Sequence, residues 1–358
     1  MLGMNSTAAR YTWTAVSVLL LVALVYTVRS TLFVFIVALL FAYLLYPLVN
    51  LLDSVLPARR TRGLALALAY IIFIGGVVTF AVQVGSRVVE QAQTLTAKFP
   101  EMVAQWETPP SAEPPAPNDL KGQILANARD EIARRANDLI HLLPAAGMKL
   151  VSLASDLVFV VIIPILAFFF LKDSEVIREH ILGLVDVGPW RTRLDGLMGD
   201  VHLLLAHYMR ALVLLSLAVF VAYGIFFTVM GVPFGVLLAV LAMCLEFIPM
   251  IGPLAACIAI VVVSAIAGSH VLAVVIFMVL YRMFQDYFLS PHLMGQGVEL
   301  HPLLVLFGVF AGAEVAGVAG SFLSVPVLAL VRILYLNMRR SRLATPASVA
   351  AESSRLAG

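Results

Sequence analysis

Charge is scarce in this chain. Of 358 residues, only 12% are Asp, Glu, Lys or Arg, against the near-quarter usual in soluble domains. That excludes a soluble globular protein, and no nucleic-acid partner is expected. Cysteine is scarce too. Cys244 and Cys257 both sit in apolar stretches and read as small buried hydrophobes, with no CxxC, no Cys/His cluster and no disulfide framework. Catalytic signatures are equally missing. There is no HExxH, no pair of aspartates in a glycine context, no Ser/His arrangement at motif spacing and no GxxxxGK[ST]. The chain therefore reads as neither an enzyme nor an ATP-driven pump, with no cofactor and no metal site.

What is present is hydrophobic: 62% of the residues. The expected fold is all-α, a polytopic membrane helical bundle of about eight apolar segments, two of them broken or re-entrant. Residues 1–85 hold N-terminal transmembrane spans. Tyr11–Val28 and Thr31–Leu52 read as a retained hairpin around Arg29-Ser30, with Tyr11, Trp13, Tyr43 and Tyr46 at interfacial depth. Arg59, Arg60 and Arg62 crowd a short loop, the strongest cytoplasmic marker in the chain. A third span follows from Gly63 to about Gly85. Residues 86–149 form an extracytoplasmic helical region with a proline-rich linker, Thr108–Pro117, and long loops of this kind translocate regardless of charge. Residues 150–171 form another span. Residues 172–210 read as a cytoplasmic amphipathic linker, because Leu194, Leu197, Met198, Val201, Leu204, Leu205 and Tyr208 recur at helical spacing. Lying on the membrane surface and packing under the bundle predict the same pattern there. Residues 339–358 read as a disordered basic cytoplasmic tail, so both termini are expected in the cytoplasm.

The core transport region is 211–338. Its long apolar segment Val232–Ala267 is interrupted by Glu246-Phe247-Ile248-Pro249-Met250-Ile251-Gly252-Pro253. Proline lacks an N–H and clashes with the preceding turn, so two half-helices meeting at an irregular turn are expected. Such a turn survives at membrane depth only against protein or a water-filled cavity. A second overlong segment, His301–Leu336, carries Gly308, Gly312, Gly317, Gly320 and Pro326. Each segment is either one kinked span or a re-entrant hairpin. Paired interruptions of this kind mark the discontinuous helices of transporters.

An ordered set of short motifs accompanies this layout: Tyr208-Met209-Arg210, Gly231-Val232-Pro233-Phe234, the Glu246–Pro253 stretch, Pro291-His292-Leu293-Met294-Gly295, Leu300-His301-Pro302-Leu303, Gly317-Val318-Ala319-Gly320 and Val325-Pro326-Val327. Their succession resembles the autoinducer-2 exporter family of bacterial membrane proteins, over roughly residues 12 to 337. The resemblance implies a polytopic transporter of the bacterial inner membrane. Members have been assigned export of the quorum signal autoinducer-2 or sodium/proton exchange. At Asp286-Tyr287 the chain departs from the family's frequent acid followed by a small or amide residue.

The membrane acids carry the mechanism, since an intramembrane carboxylate is costly, about 2.5–3.5 kcal/mol on insertion scales. Glu246, directly before Pro249, Gly252 and Pro253, either binds and exchanges a proton or cation during transport, or ties off the broken helix. Arg282 and Asp286 stand four apart and can pair, as a plain ion pair or as a pathway acid with its modulator or anion contact. Glu314 either lines a cavity between the broken segments or serves helix packing. His301 is either a proton relay or helix-start punctuation. Asp156 reads as interfacial. The function expected is a secondary transporter exporting a small solute or exchanging cations with proton or sodium coupling. The alternatives are a non-transporting scaffold or regulatory protein, or a passive channel. The partners are a small-molecule or ion substrate and the lipid bilayer, and small-residue faces would permit a homo-oligomer.

Overall fold

The computed structural model describes residues 6–56, 62–107, 161–294 and 300–356. Asp156, residues 57–61, the proline-rich linker and the first part of the span expected at 150–171 lie outside them. Among the described residues helix is the only regular structure. Among the described residues six helices are long and apolar enough to cross a bilayer, with the shorter apolar helices Ile163–Lys172, Gly235–Leu245 and Ile251–Ile266 beside them.

The N-terminal pair is not the hairpin expected. α1 (Ser6–Thr27) passes into α2 (Arg29–Val55) through Val28 alone, at φ −93°, ψ 10°. The Val28 N–H still donates to the Leu24 carbonyl at 3.0 Å, and the Leu32 N–H to the Val28 carbonyl at 2.9 Å. One residue in the bridge region bends a helix, whereas reversing it takes a loop of about 2–5 residues. Arg29-Ser30 holds neither glycine nor proline, so nothing there stops the helix. Side chains 10–32 are all exposed, so α1 packs on no described part of the bundle.

α2 enters the bundle with Ala42, Leu45 and Val49, which pack with Ala65, Leu66 and Ala69 of α3 (Arg62–Phe80) and Ala167 and Leu171 of α5 (Ile163–Lys172). The alanines let the helix axes approach closely. α3 continues through a π-helical turn, Ala81–Gly85, into α4 (Ser86–Glu107). The first helix of the polar region is thus an extension of the third span. It buries Leu95, Phe99 and Val103, one turn apart, against α8 (Gly235–Leu245) and α9 (Ile251–Ile266). Gln91 Oε1 accepts the Leu237 N–H of α8 at 2.9 Å, satisfying one of the first-turn amides that a helix leaves open.

After α6 (Ser174–Gly183), α7 (Pro189–Val229) is a single helix of 41 residues, about 60 Å long at 1.5 Å per residue. The linker and the following span, separated in the sequence reading, are continuous because no breaker falls between Arg210 and Ala211. The first half of α7 buries Leu204, Leu205, Tyr208, Met209 and Leu212 with Leu40, Val325 and Ala329. The amphipathic face is therefore packed against α2 and the last segment of the chain. The second half places Val219, Tyr223 and Phe227 in the core shared by α8, α9 and α10 (Val271–Phe284). α10 runs through a second π-helical turn, Gln285–Leu289, into α11 (Ser290–Met294).

The last segment, α12 (Pro302–Leu356), folds as a helical hairpin. Ala316 (φ −141°, ψ 22°) and Gly317 (φ 62°, ψ −144°) leave the helical region. Beyond them the chain returns along itself, with the Ser321 Oγ donating to the Val309 carbonyl at 3.1 Å. A Cβ on Gly308 would meet Ser324 Cβ at 3.5 Å, and one on Gly312 or Gly320 would strike the other's carbonyl oxygen. Within this segment the chain therefore reverses as a hairpin instead of bending as one kinked helix. Helical backbone continues to Leu356, through the stretch expected as a disordered tail, where alanine is frequent and favours helix.

Candidate functional site

The site begins where α8 stops. Glu246 to Met250 form a turn in which the Glu246, Phe247 and Ile248 amides are satisfied by backbone carbonyls. Glu246 N–H donates to the Ala242 carbonyl, Ile248 N–H to Leu245 and Gly252 N–H to Ile248, each at 3.0 Å. Pro249 supplies no N–H. Met250 sits at φ 63°, ψ −54°, with the Ile251 N–H donating to the Pro249 carbonyl at 2.7 Å. That is a γ-turn of the rare positive-φ form, a strained conformation for a residue with a side chain. A Cβ on Gly252 would fall on the Leu245 carbonyl oxygen, so the backbones can meet here only with glycine. Pro253 is the third residue of α9, where a helix has no acceptor for an N–H.

The Glu246 side chain leaves this turn and faces α10. Its Oε1 accepts a short hydrogen bond from Gln285 Nε2. Arg282 Nη1 lies 3.6 Å from the same oxygen, while Arg282 Nε donates to Asp286 Oδ2 at 3.0 Å. The charges form a row from inside to outside: the side chains of Glu246, Arg282 and Asp286 are 9%, 40% and 49% exposed. Gln285, at 2%, is the most buried member. Aromatic rings close the inner side. Tyr223 meets Tyr281 edge-on at 5.3 Å, and Phe226 stacks on Phe277 at 3.9 Å. Tyr223, Cys257 and Tyr281 all lie within electrostatic reach of Glu246 and Arg282. The Tyr281 hydroxyl is buried with no hydrogen-bond partner among the described residues.

The other expected residues lie apart from this cluster. Glu314 is exposed, two residues before the hairpin break, with no hydrogen bond or ion pair to a described residue. His301 caps α12: its Nδ1 accepts the Leu303 N–H at 3.3 Å and its carbonyl the Leu304 N–H at 2.9 Å. The two broken segments do touch, through the rings of Phe247 and Phe322 at 6.0 Å. Cys244 is exposed and Cys257 only half-buried, so the reading of both as buried hydrophobes fails. Cys244 lies on a face of α8 that the rest of the bundle leaves uncovered.

Gln285 was not singled out from the sequence. Its signal was there: it is a lone amide in an apolar helix, three residues after Arg282 and hence on the same face. The γ-turn at Met250 and the π-helical turn at Gln285–Leu289 had no such signal, since both follow from tertiary contacts.

Among the described residues six candidate spans, the last of them interrupted, a second interrupted segment and an ionisable row at that second interruption define a multi-pass membrane transport protein, with the bilayer as its solvent. The chain belongs to the family described as AI-2E family transporter, which it matches over residues 15–340. It is similar to YueF of Bacillus subtilis, 23% identical over 312 residues that cover 83% of this chain and 81% of that protein. It is also similar to MT0215 of Mycobacterium tuberculosis, 28% identical over 303 residues, 82% of this chain and 78% of that protein. YrrI of Bacillus subtilis is 30% identical over 181 residues, and there the match spans 50% of this chain and 51% of YrrI, about half of each. All three carry the name of candidate transport proteins. A family of transport proteins points away from an enzyme.

Proposed function

We propose that this protein is a secondary transporter of the bacterial inner membrane in which Glu246 is the coupling carboxylate. It exports a small solute or exchanges cations, driven by protons or sodium. The observation that carries this reading is the position of the Glu246 side chain. A carboxylate retained only to tie off the broken helix would accept the freed amides of its own turn. The Glu246, Phe247, Ile248, Ile251 and Gly252 amides are bonded to backbone carbonyls instead, and the carboxylate is spent on Gln285 and Arg282 across the bundle.

The lengths of the broken elements support re-entrant segments. α8 has 11 residues, about 16 Å, and residues 302–315 reach about 21 Å at 1.5 Å per residue, both short of the roughly 30 Å hydrocarbon core. In this arrangement α8 and α9 dip in from outside, the α12 hairpin dips in from the cytoplasm, and the C-terminus is cytoplasmic. Glu246 then stands near the deepest point of one segment, and Glu314 near the tip of the other as a second pathway acid.

The test is reconstitution of the full chain into proteoliposomes with an imposed proton or sodium gradient, with sodium and autoinducer-2 as probes. Gradient-driven accumulation or exchange in the wild type, abolished in Glu246→Gln, is the expected result. Downhill leak alone would identify a channel, and no flux a scaffold. Coupled transport that survives in Glu246→Gln rules out the coupling role.

A further inference from the structure

Arg282 stands between two carboxylates and is bound to them unequally. Its Nε hydrogen-bonds Asp286 at 3.0 Å, while Nη1 stays 3.6 Å from Glu246, beyond a hydrogen bond. A guanidinium has five donors in a fork that fits a carboxylate bidentately. Attraction is also stronger where water is excluded. Left to these two forces, Arg282 would close on Glu246, the more buried partner. Two features oppose that closure. Gln285 Nε2 already occupies Glu246 Oε1, and Asp286 draws the guanidinium outward. Both residues open the π-helical turn Gln285–Leu289, which aims one at Glu246 and the other back at Arg282.

We propose that Asp286 is a positioning residue that holds Arg282 off Glu246 and so sets how readily Glu246 takes a mobile cation. Arg282 is a tethered cation competing for the same carboxylate, and Asp286 is its second berth. When a mobile cation occupies Glu246, Arg282 rests on Asp286. When Glu246 is empty, Arg282 can move inward and neutralise it. Asp286, half-exposed, does not itself need to touch what is carried. This deepens the coupling role assigned to Glu246 and rests on it.

Two measurements on the purified full chain test the proposal separately from transport. The first is a set of thermal unfolding midpoints in detergent for Glu246→Gln, Arg282→Gln and their double variant, each with Asp286 and with Asp286→Asn. Such cycles isolate the coupling between two side chains. The Glu246–Arg282 coupling is expected to grow once Asp286 is Asn, because Arg282 closes on Glu246. An unchanged or smaller coupling overturns the proposal, whether or not any flux is seen. The second is sodium-driven proton exchange in proteoliposomes. Asp286→Asn should raise the KM for sodium about fivefold or more, the lower end of typical site-to-site coupling, with little change in maximal rate. Arg282→Gln should lower it. Asp286→Asn added to Arg282→Gln should change nothing further, and Asp286→Glu should return KM towards wild type. A KM rise from Asp286→Asn that is equal with and without Arg282 overturns the proposal. If Glu246→Gln leaves flux unaltered, the coupling role of Glu246 fails, while the unfolding cycle still decides the role of Asp286.

Discussion

Gly252→Ala is the most direct probe of the turn that carries Glu246. The added Cβ would land on the Leu245 carbonyl oxygen, with the carbonyl carbon at 2.8 Å and Ile248 Cβ at 3.1 Å. Neither side can yield freely. That oxygen accepts the Ile248 N–H at 3.0 Å, and the Gly252 N–H is itself held by the Ile248 carbonyl at 3.0 Å. Relief requires breaking one of these hydrogen bonds, about 1 kcal/mol net, on top of an overpacking cost of about 1–3 kcal/mol. The sum is about 2–4 kcal/mol. In a thermal unfolding assay of the detergent-purified chain this should lower Tm by about 3–5 °C. Because Glu246 directly follows Leu245, its carboxylate should also leave Gln285, so coupled flux should be lost even in the fraction that remains folded. A Gly252→Ala protein with Tm within about 2 °C of wild type and intact flux would refute the close approach of α8 and α9.

Three further outcomes are expected. Glu246→Ala strips the acceptor from the Gln285 amide, a side chain only 2% exposed, and should cost about 1–3 kcal/mol; Glu246→Gln keeps an acceptor oxygen, so its Tm should stay near wild type. Equal losses in the two variants would mean that the Gln285 bond does not support the fold. Gln91→Ala removes the cap on the Leu237 N–H and should destabilise α8 by about 1 kcal/mol, seen as faster hydrogen exchange in its first turn. Val309→Cys with Ser321→Cys, in a chain with Cys244 and Cys257 replaced by alanine, should form a disulfide on mild oxidation. In a continuous helix those positions would be about 18 Å apart, far beyond disulfide reach, so absence of the crosslink would argue against the hairpin.

Much of the fold was legible because membrane segments announce themselves by length and composition. The break at Glu246–Pro253 was legible for a local reason: proline cannot continue a helix, and no tertiary contact restores the missing N–H. The packing of Leu204, Leu205 and Tyr208 followed from helical spacing. Boundaries set by continuity were not legible. Polar Arg29-Ser30 looked like a turn, yet serine and arginine tolerate a helix, and the chain runs through with its i to i−4 bonds in place. Charged Arg210 looked like the end of a linker, yet it only marks a change of surroundings along one helix. At the site, the residue types were visible and their partners were not. Glu246 could be flagged as an acid at a break, but its partnership with Gln285 spans 39 positions and follows from how α9 and α10 return the chain. Glu314 carried the same sequence signal as Glu246 and lies outside the cluster, exposed beside the break of its own hairpin.

The position of the charges relative to the irregular backbone has a mechanical consequence. Two departures from α-helix flank this cluster along the chain: the γ-turn at Met250, four residues after Glu246, and the π-helical turn Gln285–Leu289, which holds Gln285 and Asp286. Around them the core is close-packed aliphatic and aromatic, with Leu238, Ala239, Ala256, Ile260 and Val263 almost fully buried. Such a core changes arrangement only in discrete repackings. A strained γ-turn and a π-bulge are different, because each lies near an alternative backbone state, and irregularities of this kind gather at sites that move. Glu246, Gln285 and Asp286 therefore sit in or beside irregular backbone, while the helices around them are close-packed. On the coupling role proposed for Glu246, a change in what it binds would move the turn rather than repack the core. Phe247, which touches Phe322 of the second hairpin, is the side chain placed to pass that movement on.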